Sequence, residues 1–235
     1  MKMRGVAMHA YKLMGKAVHD YDMISDGDKV LVAVSGGEDS LTMLKLFLLR
    51  MRRIPIKYTL VACFIDTDFI HINSQRLKDY FVSENVSYVI KSMSIPEEKD
   101  RNCFWCSWNR RKLLFETTKE LGCNKLALGH NLDDIAQTTV MNLFFRGEIS
   151  TAPANLEMFN GEFRVIRPLC YIPKKDIGEF AAVMGLPVEA YECIYGKESK
   201  RAVAREMIAA AEKDCPQVKT NIVRALRRIK EGYLN

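Results

Sequence analysis

VLVAVSGGEDSLTMLKLFL, Val30 to Leu48, decides the fold. Val30–Val34 is an apolar run of β-branched and aliphatic residues without polar alternation, the signature of a parallel strand buried on both faces. Ser35-Gly36-Gly37 breaks it. Asp39 and Ser40 are N-cap types, and Leu41, Leu44, Leu48 and Leu49 then recur at roughly helical spacing, so the turn feeds straight into a helix N-terminus. Such an end binds anions: the free N–H groups of the first turn point outward with the positive end of the helix dipole, and glycines let a phosphate approach the backbone.

A glycine turn between strand and helix is on its own only a tight connection. The full string S-G-G-x-D-S in this context resembles the PP-loop of the N-type ATP pyrophosphatases, which cleave ATP to AMP and pyrophosphate. The resemblance implies that Gly36, Gly37 and Ser40, with Ser35 beside them, cradle pyrophosphate. It also implies that Asp39 helps hold Mg²⁺, a hard cation that prefers oxygen ligands next to phosphates.

The remaining chain fits an α/β architecture. Its 235 residues suit one domain with a helical extension, long enough for a core without metal or disulfide staples. Thr59–Ile65, Val86–Ile90, Leu126–Leu128 and Arg164–Leu169 read as further strands, giving an open parallel sheet of about five strands with flanking helices. The expected organisation is a helical segment over 1–26, a PP-loop domain over 27–192, and a C-terminal loop with basic helices over 193–235. A net charge of +6, from 35 Lys and Arg against 29 Asp and Glu, permits a polyanionic partner without demanding one. Basic residues on the predicted helices 199–211 and 218–232 read either as solvated surface or as a docking face for an RNA backbone. No apolar run reaches membrane-spanning length, and residues 1–21 lack the apolar core of a signal peptide. The expected location is the cytoplasm, with no membrane partner.

In an open parallel sheet, ligands sit beyond the carboxyl ends of the strands where their order switches. Ile65 ends the second strand there, and Asp66 after it serves the crevice or caps the predicted helix 72–84. Gly129-His130 and the pair Asp133-Asp134 follow the short strand Leu126–Leu128 and face the same crevice. Seven cysteines, an odd number with one CxxC, suggest thiols or metal ligands in a reducing compartment. Cys103-Phe104-Trp105-Cys106 opens a helix over 109–121 that carries Arg110, Arg111 and Lys112. Thiolates at a helix N-terminus beside cations suit redox work or metal ligation, but two cysteines complete neither a tetrahedral zinc nor a cubane cluster. Cys63, Cys123 and Cys170 lie in or beside apolar elements and read as packed thiols. That leaves Cys193, in a polar loop, and Cys215 as runner-up.

Taken together, SGGEDS, CFWC followed by NRRKLL, LGHNLDDIAQT, RPL and a solitary loop cysteine resemble the tRNA 2-thiolation enzymes of the 2-thiocytidine synthetase group, from about Gly27 to Cys193. The resemblance makes Cys103, Cys106 and Cys193 ligands of a [4Fe–4S] cluster with one open iron for sulfide or persulfide. It places Ile65, Gly129 and Asp134 at the ATP site. Asp134 matches an acid proposed as catalytic in the thiouridine branch. Arg110 stands where that branch has a lysine, and as a guanidinium it suits a phosphate clamp better than a proton shuttle. The implied partners are tRNA and a sulfur donor (sulfide or a persulfide carrier), and family precedent implies a homodimer.

The implied chemistry is adenylation of the C2 carbonyl oxygen of a tRNA pyrimidine, cytidine first, followed by sulfur attack and loss of AMP. Thiouridine relatives carry zinc-binding cysteine pairs at both ends, and neither terminus here has one; the single Cys193 in turn departs from the CxxC frequent in thiocytidine enzymes. The competing readings are a thiouridine synthetase, an amide-forming PP-loop ligase with a structural zinc, and a sensor that binds ATP without turnover. Trp105, Trp108 and Phe104 read as shielding for the cluster or as a stacking surface for a splayed base.

Overall fold

Alternate residues of the first strand go to opposite cores. In β1 (Lys29–Val34), Val30, Val32 and Val34 join one apolar cluster and Leu31 the other; in β2 (Thr59–Thr67), Leu60, Ala62 and Phe64 join the first, Cys63 and Ile65 the second. Both sheet faces are therefore dry, which is why these strands read as unbroken apolar runs. The computed structural model describes residues 5–67, 72–94, 103–189, 200–230 and 232, and of Cys103 and Phe104 the backbone.

β1 is followed by α2 (Glu38–Met51), β2 by α3 (Ser74–Ser83) and β3 (Ser87–Met93), and α4 (Cys103–Glu120) leads to β4 (Lys125–Ala127). After α5 (Leu132–Arg146), β5 (Asn155–Met158) and β6 (Phe163–Ile166) form a hairpin, then come α6 (Lys174–Val183), α7 (Lys200–Glu212) and α8 (Val218–Ala225), with α1 (Val6–Asp20) preceding the whole. Helices α1, α2 and α6 cover one face through Met14, Leu44, Phe47 and Phe180. Leu113, Leu114 and Phe115 of α4 cover the other.

The sheet has six strands in the order β3-β2-β1-β4-β6-β5, five of them parallel and β5 antiparallel to β6. β5 is the strand that the apolar pattern does not announce: NLEM has no buried residue, because at the sheet edge only Met158 reaches the second core, and that partly. Two boundaries also differ from expectation. α3 is capped by Asn73, whose side chain accepts from the Arg76 N–H at 3.1 Å, so Asp66 stays in β2 and caps nothing. α8 stops at Ala225 instead of 232, and just beyond it the Arg227 guanidinium bonds the Tyr171 hydroxyl and the Asp20 carbonyl at 3.2 and 3.3 Å.

The order reverses between β1 and β4, so the turns after these two strands share one crevice.

Candidate active site

Helix α2 begins on Gly37, and no side chain caps it, so the first-turn N–H groups stay open to an anion. Asp39 and Ser40, expected at the cap, lie inside the first turn. The Ser40 hydroxyl accepts from the Ser35 N–H at 3.0 Å and donates to the Gly37 carbonyl at 3.0 Å, tying the loop into a closed cradle. Gly36 has φ +81°, a left-handed conformation that glycine adopts without strain, and its carbonyl accepts from the Glu189 N–H at 2.9 Å. Gly129, after β4, lies against this cradle: a Cβ there would stand 3.3 Å from the Ser40 nitrogen.

Beside the loop runs a polar chain that sequence spacing does not reveal. Asn131, 3% exposed, caps α5, accepting from the Asp134 N–H while the Asp134 carboxylate accepts from the Asn131 N–H, both at 3.1 Å. Its amide also donates to Asp39 at 2.7 Å. The other Asp39 oxygen accepts from the Lys174 ammonium at 2.6 Å, and Lys174 also reaches Glu38 at 3.1 Å. The capping pattern N-x-x-D is visible in the sequence; Lys174, 135 residues from Asp39, carries no local signal. Asp39, Asn131, Asp134 and Lys174 line a cavity of about 400 Å³ together with Arg205 of α7. Burial holds the Asp134 carboxyl above its usual range, against the opposing pull of the Asn131 N–H and of Arg201, 3.6 Å away.

On the other side, His130 and Arg167 are enclosed together. Arg167 is 8% exposed; its Nη1 donates to the Pro153 carbonyl, and its Nε has no hydrogen-bond partner among the described residues. His130 Nδ1 is likewise buried and unpartnered. Burial, then Arg167, Arg201 and Arg111, hold the imidazole down to about 4, and burial with Arg111 lowers the Arg167 guanidinium to about 10. A neutral imidazole and a guanidinium with a buried, unpartnered Nε, both in the field of Arg111, suit an anion.

That arrangement has a cost that can be measured. Below the ordinary histidine value of 6.5 the unfolded chain binds the proton that His130 refuses until about 4, so stability falls as pH drops through that window. With the slope rising from half to nearly the full ~1.4 kcal/mol per pH unit, His130 accounts for a loss of roughly 1.5 kcal/mol between pH 6.5 and pH 5. Urea titrations at the two pH values should show that His130→Gln loses less stability by about this amount; an equal loss would place the histidine in water.

Of the expected ATP contacts, Ile65 lies on β2 where the strand outruns its neighbour: β1 pairs only as far as Phe64, whereas β3 pairs on to Thr67. The backbone of Ile65 on that side is therefore open at the crevice mouth. Arg110 is half-buried on the second turn of α4.

Helix α4 starts at Cys103 instead of 109, so Cys103 and Cys106 stand three residues apart on its first turn, at the positive end of the dipole. Cys106 is half-buried. Burial pushes the Cys63 and Cys170 thiols up to about 12 and raises that of Cys123, so these three are packed, inert thiols. Cys193 and the loop 96–101 lie outside the described residues, and among the described residues no three metal-ligating side chains converge. The CxxC turn fits two ligands of one centre.

A PP-loop domain model matches residues 8–212. The chain is 40% identical over 228 residues to a tRNA-cytidine(32) 2-sulfurtransferase from Cupriavidus necator, spanning 94% of this chain and 73% of that one. It is 36% identical over 230 residues to the enzyme of the same name from Geobacter sulfurreducens, 94% and 90% covered. Among solved structures, the U34-tRNA thiolase NcsA from Methanococcus maripaludis with its [4Fe–4S] cluster superposes with a TM-score of 0.78 at 25% identity, over 98% of this chain and 80% of that one. NAD⁺ synthetase from Burkholderia pseudomallei shares the fold at a TM-score of 0.50 and 12% identity, covering 97% and 93%.

Proposed function

The chain belongs to the PP-loop family, and we propose that it is an ATP- and iron–sulfur-dependent tRNA sulfurtransferase that replaces the C2 oxygen of a tRNA cytidine with sulfur. The observation that carries this reading is the uncapped PP-loop at the sheet switch, walled by Gly129 and joined through Asp39 and Asn131 to Asp134; the CxxC at the start of α4 supports it. The names of the relatives, tRNA-cytidine(32) 2-sulfurtransferases, support the substrate.

The chemistry divides among these residues. The α2 N-terminus, with Ser35, Gly36, Gly37 and Ser40, holds the β- and γ-phosphates of ATP, while the backbone of Ile65 meets adenine and Gly129 keeps the wall thin. Asp39 would help hold Mg²⁺, which would supply positive charge beside the leaving pyrophosphate, and Lys174, on Asp39 and Glu38, lies close enough to add its own. The cytidine C2 oxygen attacks the α-phosphorus and pyrophosphate leaves. That step turns an oxygen that leaves poorly into AMP. Arg110 and Arg167 bear the charge of the adenylate phosphate, and neutral His130 donates from one ring nitrogen. Hydrosulfide then adds to C2, the C–O bond breaks with its electron pair leaving on AMP, and the sulfur-bound proton goes to the Asp134 carboxylate, whose raised pKa suits a base. Cys103, Cys106 and Cys193 would hold the cluster, which supplies a Lewis-acidic iron to present the sulfide.

The test is nucleoside mass analysis of tRNA from cells with and without the gene. Loss of 2-thiocytidine, restored by the gene but not by its Asp39→Ala form, supports the reading. Loss of 2-thiouridine moves the substrate to the sister branch, and survival of every thionucleoside rejects tRNA.

A further inference from the structure

One face of α4 has no partner in the mechanism. Trp108 is 58% exposed, and Phe159, in the turn between β5 and β6, is 47% exposed; together with Phe115 they flank a groove of about 360 Å³. Single exposed aromatics are ordinary, but here the remaining walls are Arg111, Lys112 and Lys119, with Glu116 as the acid. The Lys119 ammonium sits 4.1 Å from the Phe159 ring centre and also pairs with Glu162. Lys112 is 3.9 Å from Glu116, a loose solvent pair. Arg111 makes no ion pair among the described residues.

The turn that presents Phe159 is held against local preference. Phe159 has φ +50° and Asn160 φ +57°, a conformation that Asn or Gly takes readily and that costs another residue about 1–2 kcal/mol. The ring gains an edge contact with Phe115 and a tilted one with Phe163, at 5.8 and 5.7 Å between centres, yet leaves nearly half its surface in water. Arg111 ties the groove to the reaction centre, because the same charge depresses His130 and Arg167. Along the helix axis the groove begins about 3 Å past Cys106 and, by Phe115, lies about 14 Å past it.

We propose that this groove is a nucleobase-stacking site for the RNA substrate: a base flanking the reacting cytidine inserts between Trp108 and Phe159, and Arg111 and Lys112 take the adjoining phosphates. It rests on the reading above that tRNA is the substrate. A nucleotide drawn out of its stack to reach the crevice leaves its neighbours unstacked, and aromatic faces edged by cations are what hold such bases. Trp105, half-buried against the second core, is cover for the cysteine turn and takes no part.

The test is tRNA binding and thiolation by the anaerobically loaded protein. Trp108→Ala and Phe159→Ala should each weaken tRNA binding about 10-fold, with iron content and ATP binding unchanged. Trp108→Phe should recover most of the loss and Trp108→Leu should not, since stacking needs a ring and apolar cover does not. In Trp105→Phe, Trp108 is the sole indole, and tRNA should quench it. If the parent thiolates tRNA while the alanine variants bind it within twofold of the parent, the groove is not an RNA site, and the reading of function stands. If those variants lose thiolation only with a protein sulfur donor, the groove docks that protein, which also overturns the proposal. If the parent neither binds nor thiolates tRNA, both readings fall.

Discussion

Asp134→Asn should lose tRNA thiolation by at least about 100-fold and at the same time raise Tm. The two effects share one cause. Asp134 is buried, and burial keeps its carboxyl above the usual range even though the Asn131 N–H and Arg201 favour the anion. A folded state that holds the proton more tightly than the unfolded chain loses stability as pH rises through the folded pKa, so at neutral pH the ionised group is a burden on the fold. Asparagine keeps an oxygen to accept from the Asn131 N–H, so the cap on α5 persists while the charge disappears. Alanine has no such acceptor and should cost about 1 kcal/mol. Melting curves at pH 7 beside a thiolation assay decide the matter. An Asn variant that melts lower and still works would make Asp134 a cap and nothing more.

What was legible in the sequence is what depends on near neighbours. β1, the glycine turn and α2 could be read because an unbroken apolar run, two glycines and a leucine repeat are local signals. The burial of Cys63, Cys123 and Cys170 followed from their apolar surroundings. β5 escaped because NLEM is a half-exposed edge strand that, among the described residues, pairs with β6 alone. The site's electrostatics escaped for a different reason. Asn131 meets Asp39 across 92 residues and Lys174 meets it across 135, and no period or cap rule links such positions. Trp105 and Trp108 stand three residues apart in one motif, yet the helix turns one toward the core and leaves the other in water. Starting α4 at Cys103, a turn and a half earlier than the spacing of its apolar residues suggests, is what sets the cysteine pair at a helix dipole.

Cys106→Ala should remove the iron, and with it all thiolation. The seven cysteines differ in what a metal could use. A ligand must give up its proton, and Cys63 and Cys170, held up to about 12 by burial, do not do so near neutral pH. Cys106 is half-buried at a helix N-terminus, where thiolate is favoured. Protein purified without oxygen should therefore be brown, with iron and acid-labile sulfide in equal amounts, and Cys106→Ala should be colourless. Cys170→Ala should stay brown while losing about 1 kcal/mol of stability from the small cavity it opens. Cys193→Ala should match Cys106→Ala, and Cys215→Ala, whose sulfur accepts from the Asn221 amide at 3.5 Å, should match the parent. Colourless parent protein carrying one zinc would instead make the CxxC a structural clasp, and the PP-loop would then serve an amide-forming ligase. Iron that survives in Cys106→Ala but leaves with Cys215→Ala would move the cluster away from α4 and toward α8, and with it the sulfur away from the adenylate.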